Sequence, residues 1–208
     1  MSSPQTKSPK YHHGNLREAL VNASVHMVRE HGIEGLSLRK LADVVGVSRT
    51  APYHHFKDKE SLLAAVAQQG FADLTVLLTK VVHDTDQTLL SRLEGAVNGY
   101  LNFAITYPTQ YDLMFGQSLW RTDKHAEFQR YAKDCFRQYV TLFEFYEQQG
   151  VLPKGEIPLR LAQLMWSLLH GLAKLSSDGI FAKESDLQDI TAYAVEKFQR
   201  SLHTPVEQ

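Results

Sequence analysis

One short stretch of this 208-residue chain collects the side chains best suited to holding a polyanion: Ser37, Arg39, Arg49, Thr50, Tyr53, His54 and Lys59. A guanidinium fork matches the O6/N7 edge of guanine in a major groove, so Arg39 and Arg49 are the candidate base readers. Thr50 suits a base edge or a thymine methyl. Hydroxyl, imidazole and ammonium groups suit phosphate oxygens, which assigns Ser37, Tyr53, His54 and Lys59 to the backbone of a nucleic acid. Lys57 adds general positive charge.

Those residues need two short elements to position them. Leu38, Leu41, Ala42 and Val45 follow the period of one buried helix face. Ser37 stands ahead of it as an N-cap and Gly46 behind it as a left-handed C-terminal residue. Ser48 is a second N-cap, predicting a short helix that reaches about Phe56. On that helix Pro52 and Phe56 point inward, while Arg49, Thr50, Tyr53 and His54 point outward with no acidic residue among them. Two short helices joined by a glycine-containing turn read as a helix-turn-helix.

Gly35-Leu-Ser-Leu-Arg-Lys-Leu-Ala, Val45-Gly-Val-Ser48 and Tyr53-His-His-Phe-Lys-Asp-Lys59-Glu-Ser-Leu-Leu63 together resemble the DNA-binding domain of TetR/AcrR-family transcriptional regulators, over about residues 12 to 75. The resemblance implies a further phosphate contact at His55. It also implies a helical body that holds an effector pocket. The Trp166…His170-Gly171 stretch is similar to a subgroup whose C-terminal domain carries a Trp-His-Gly signature.

Composition fits this division. The net charge is −1, yet the first sixty residues carry a balance of +3 and six of the ten histidines, leaving −4 for the remainder. A mildly basic head on an acidic body suits DNA contact at one end only. No apolar run approaches the ~20 residues of a membrane span. Met1 to Lys10 lacks an apolar signal core, so export is not expected. A single cysteine, Cys135, rules out an intramolecular disulfide and fits a reducing cytoplasm.

The rest of the chain reads as all-α, with about nine helices: a flexible arm over 1–14, a helix-turn-helix domain over 15–75 and a ligand-binding and dimerisation bundle over 76–203. Asn15-Leu-Arg-Glu18 forms a capping box for a first helix that ends at His31-Gly32. Asp58 caps a long helix reaching about His83, long enough to tie head to body. Further helices follow, stopped at Tyr107-Pro108, Gly116 and Gly150. From Pro158 to about Ser176 a helix is apolar over most of its circumference, which predicts burial on several sides. Its Leu161, Leu164, Leu168, Leu172 and Leu175, with Phe198 of the last helix, are the expected seam between two copies. Gly171 in that helix interior predicts a close helix approach.

Phe103, Tyr107, Tyr111, Met114, Phe115, Trp120, Phe128, Tyr131, Tyr139, Met165 and Trp166 form the aromatic cluster of the body. By the resemblance these residues line the effector pocket, with His170 as a polar anchor; by spacing alone an aromatic stripe reads equally as core. Cys135 sits on an apolar stripe as a small hydrophobe. His12 and His13 are adjacent and lack a Cys or acidic partner nearby, so no metal site is expected. No phosphate-binding glycine loop, ligand set or nucleophile elbow indicates an enzyme or a cofactor. The expectation is a cytoplasmic homodimeric DNA-binding regulator: a repressor of a palindromic operator, released by a small hydrophobic or aromatic effector. The alternatives are a helical small-molecule-binding protein and a regulator controlled by a protein partner or by redox state.

Overall fold

The computed structural model describes residues 15–121, 123–180 and 184–203. The arm expected over 1–14 lies outside them. α1 (Leu16–Gly35) opens on Asn15, whose side-chain oxygen accepts from the Glu18 N–H at 3.3 Å. Glu18 in turn accepts from the Asn15 side-chain amide, a reciprocal cap. Gly32, at φ 67°, breaks the regular turns inside this span. α2 (Leu38–Val45) is capped by Ser37, whose hydroxyl accepts from the Lys40 N–H at 3.2 Å. Its Leu38, Leu41, Ala42 and Val45 are all buried. Gly46 follows at φ 76°, ψ 35°, a left-handed conformation that costs other residues about 1–2 kcal/mol. The Gly46 and Val47 N–H groups both donate to the Ala42 carbonyl, at 2.9 and 3.0 Å.

The second half of the helix-turn-helix differs from the sequence expectation. Instead of an α-helix opened by Ser48, a single 3-10 turn occupies Ala51–His54. Pro52 supplies the reason. An α-helix starting there needs an N–H from residue 52 to the Ser48 carbonyl, and proline has none. The Ser48 carbonyl accepts from Ala51 N–H at 2.9 Å instead, and Tyr53 N–H donates to Thr50 O at 3.1 Å in the same tighter pattern. The Ser48 hydroxyl, expected as a cap, pairs with the Thr50 hydroxyl at 3.2 Å. Pro52 and Phe56 are buried as expected, with the Arg17 guanidinium 5.4 Å from the centre of the Phe56 ring.

α3 (Lys59–Val82) starts from a second reciprocal cap: Ser61 N–H donates to Asp58 Oδ1 at 2.8 Å and Asp58 N–H to Ser61 Oγ at 3.2 Å. The chain divides into two compact units between Leu62 and Leu63, in the first turn of this helix. By length and composition alone α3 is apolar enough to cross a membrane, with mean hydropathy 1.4 over its best window, contrary to the sequence expectation; half of that window is buried inside the protein.

The second unit continues with α4 (Leu89–Thr106), α5 (Pro108–Phe115), α6 (Gln117–Trp120), α7 (Ala126–Gln148), α8 (Pro158–Ser177) and α9 (Glu184–His203). α8 packs on α7 and α4, and α4 also meets α5 and α9. Gly99 lets α4 approach α3 closely, because a Cβ there would lie 2.5 Å from Leu77. Val82, Val140, Phe143, Tyr146, Leu161 and Met165 lie in the core of this unit. Gly171 does not serve a close approach within the chain: a Cβ added there meets nothing within 4 Å. Among the described residues the structure is all-helical, without strands.

Candidate nucleic-acid interface and buried cavity

Ser37 and Lys59 are half-buried, while Arg39, Arg49, Thr50, Tyr53, His54 and His55 are exposed. All belong to one compact three-element head, whose α2 packs against both α1 and the 3-10 turn. Tyr53 is 50% exposed. The tight turn, not an α-helix, carries the residues that the sequence pattern placed outward. Sequence reasoning missed Asp43, whose carboxylate lies 3.6 Å from Arg49 Nε with both side chains well exposed. A pair so solvated is worth under ~1 kcal/mol, so it holds the guanidinium near its present orientation and yields it easily to a stronger partner.

In the second unit a cavity of about 410 Å³ lies among α3, α4, α7 and α8, with Phe115 and Trp120 completing its wall. That volume is in the range of small-molecule sites, ~300–1,000 Å³. Of the expected aromatic set, Phe115, Trp120, Tyr139 and Trp166 line it. Others stand one layer out: Tyr111 packs on Phe115 (ring centres 4.8 Å apart) and Phe128 on Trp120 (5.6 Å). Met114 fills the space over Gly70. Met165 belongs to the core cluster, and Phe103 pairs with Tyr107 at 5.4 Å. Tyr131 reaches the Cys135 sulfur, and burial together with that contact raises its pKa. Phe71, Leu74 and Leu78 of α3, Tyr100 of α4 and Phe136 and Leu142 of α7 also line the cavity. Their helical spacing was visible in the sequence, but spacing does not separate a wall from a solid core.

His170 lies outside the lining and ends a chain of polar contacts. Trp166 stands beside the Tyr100 hydroxyl and offsets part of the rise that burial gives its pKa. Tyr100 lies 2.9 Å from the Tyr111 hydroxyl, and Tyr111 lies 2.6 Å from His170 Nδ1. Either hydroxyl can donate in the Tyr100–Tyr111 contact, and which member of the Tyr111–His170 pair donates depends on the tautomer of His170. Burial first, and Lys174 second, hold its pKa below the ordinary 6.5, against a smaller pull from Asp112. Burial raises Tyr100 and Tyr111 far above the ordinary tyrosine value, so both remain donors.

Two family descriptions match the chain. The model for "Bacterial regulatory proteins, tetR family" matches residues 20–66, and that for "Tetracyclin repressor-like, C-terminal domain" matches residues 93–198, just over half of the chain. The chain belongs to the TetR family. Members of the TetR family are transcriptional regulators, not enzymes. The chain is 34% identical to the tetracycline repressor protein class C of Escherichia coli over 91 residues, 44% of this chain and 40% of that protein. It is 36% identical to the transcriptional repressor AcnR of Corynebacterium diphtheriae over 64 residues, 31% of this chain and 34% of that protein. The chain thus spans well under two thirds of these relatives' length. A solved structure of a protein from Rhodococcus sp. RHA1 overlays with TM-score 0.78 at 27% identity, covering 95% of this chain and all of that one. The 3-10 turn and the exposed face around it fall inside the tetR-family match, and α4, α7 and α8 of the cavity wall inside the C-terminal one.

α8 and α9 carry several of the exposed apolar residues of this TetR-family body, alongside Val76 of α3 and Ile105 of α4. Leu161 and Leu172 of the expected seam are buried in the protein's own core, while Leu164 (65% exposed), Leu168 and Leu175 stand open. Ile190 and Tyr193 of α9 are open as well. The Phe198 side chain lies outside the described ones.

Proposed function

We propose that this protein is a DNA-binding transcriptional repressor that acts as a homodimer on a near-palindromic operator and is released by a small hydrophobic or aromatic effector. The observation that carries the reading is the exposed Arg49–His55 face on a TetR-type helix-turn-helix. In it, residues 15–75 form the DNA-binding domain and residues 76–203 the effector-binding and dimerisation domain. Arg39 and Arg49 read bases and Thr50 a base edge or methyl; Ser37, Tyr53, His54, His55 and Lys59 hold phosphates. Leu164, Leu168 and Leu175, with Ile190 and Tyr193, form the centre of the dimer seam, because clustered exposed apolar side chains mark an interaction surface. Two heads then read half-sites one DNA turn apart or a multiple of it. The cavity takes the effector, and occupancy lowers operator affinity to the extent that the effector prefers the unbound state. Trp166, His170 and Gly171 on α8 support grouping the chain with the Trp-His-Gly subgroup. A DNA partner and a lone cysteine support a cytoplasmic location.

Selection from a random-sequence duplex pool tests the reading. The expected product is an enriched pair of inverted half-sites. Recovery of unenriched sequence after several rounds would contradict it.

A further inference from the structure

The cavity wall is almost wholly apolar, and nearly every polar group in it already has a partner. The Tyr100 hydroxyl is paired with that of Tyr111. Trp120 N–H donates to the Met114 carbonyl at 2.7 Å, and Thr75 Oγ1 to the Phe71 carbonyl at 2.7 Å. The Cys135 sulfur neighbours Tyr131 and contributes to raising its pKa. Lys133, Arg137 and Gln138 are exposed to solvent. Thr79 is exposed at the rim, whereas Tyr139 is half-buried in the wall. It lines the cavity, its ring is fixed edge-on against Phe143 at 5.1 Å, and its hydroxyl has no hydrogen-bond partner among the described residues. Burial, then the neighbouring Tyr100, raises its pKa, which keeps the proton on it.

An unpartnered phenol set in a largely apolar wall imposes a chemical requirement. A ligand without an acceptor leaves the phenol unsatisfied, and a charge placed among the apolar side chains, away from the exposed Lys133 and Arg137, is costly. We propose that Tyr139 is the specificity-determining donor of this cavity and that it selects an uncharged, largely apolar molecule carrying one carbonyl-type acceptor. This rests on the cavity being the effector site.

Both tryptophans of the chain line the cavity, so intrinsic fluorescence reports occupancy. The experiment titrates the full chain with 2-acetylnaphthalene and with 2-isopropenylnaphthalene, which share a shape and differ in the acceptor oxygen. Wild type, Tyr139→Phe and the cavity-filling Ala132→Phe are compared, with folding verified by circular dichroism. The expected result is a roughly tenfold preference of wild type for the ketone, a preference near one in Tyr139→Phe, and loss of both compounds in Ala132→Phe. A preference unchanged in Tyr139→Phe, with binding still lost in Ala132→Phe, overturns the role of Tyr139 and leaves the cavity as a site. Failure of wild type to bind either compound, or binding indifferent to Ala132→Phe, overturns the cavity reading and this one together. If Ala132→Phe does not fold, the ratio of ratios between wild type and Tyr139→Phe still decides.

Discussion

His170 illustrates what one residue contributes and how its environment sets its behaviour. Its Nδ1 lies 2.6 Å from the Tyr111 hydroxyl, and burial and Lys174 together disfavour the charged ring. The unfolded chain, with an ordinary histidine, takes up a proton more readily than the folded one. Below the ordinary value of 6.5 the unfolded state therefore binds more protons. The His170 contribution is complete above that value and is lost as pH falls through the lowered folded one. Thermal unfolding between about pH 7.5 and about pH 5 should show a steeper loss of Tm in wild type than in His170→Asn, which keeps an acceptor but does not titrate. Parallel curves would contradict this. The sequence singled out His170 as a polar anchor. That Tyr111 and Tyr100 occupy it is set by a meeting of α4, α5 and α8, which no local pattern encodes.

At the scale of elements, the local signals were the legible ones. Asn15, Ser37, Gly46 and Asp58 mark their helix ends where the sequence places them, because a cap is a bond between neighbours in the chain. The second part of the helix-turn-helix was misread for an equally local reason: Ser48 was weighed as a cap without the N–H that Pro52 lacks. α6, four residues long, is too short to show a period. Gly171 was legible as an anomaly but not in its cause, since no neighbour within the chain closes on it. If the space above it belongs to a second copy, Gly171→Ala has two separable effects. The substitution should stabilise the isolated fold by about 0.5–1 kcal/mol through helix propensity, and it should weaken self-association measured by sedimentation equilibrium. Stabilisation with unchanged association would place Gly171 off the seam.

At the scale of the whole molecule, the all-helical class, the basic head and the acidic body followed from composition and periodicity. Apolar periodicity also marked the residues now seen around the cavity, yet it could not distinguish a wall from packed interior: Phe115 and Trp166 border space, while Tyr111 and Met114 do not. The same limit applied to α8, where Leu161 and Leu172 turn inward and Leu164, Leu168 and Leu175 outward on a helix apolar nearly all round. A helix of that kind tells how much of its surface is covered, not by what.

The most direct measurement is the affinity for a duplex recovered by selection against a scrambled duplex, by fluorescence anisotropy at about 50 to about 200 mM salt, for wild type and Arg49→Ala. Wild type should favour the selected duplex by ~10³ or more and weaken steeply with salt. Arg49→Ala should lose about ten- to a hundredfold on the selected duplex and far less on the scrambled one, as expected for a base contact. Equal affinity for both duplexes, unaffected by Arg49→Ala, would contradict a sequence-reading head.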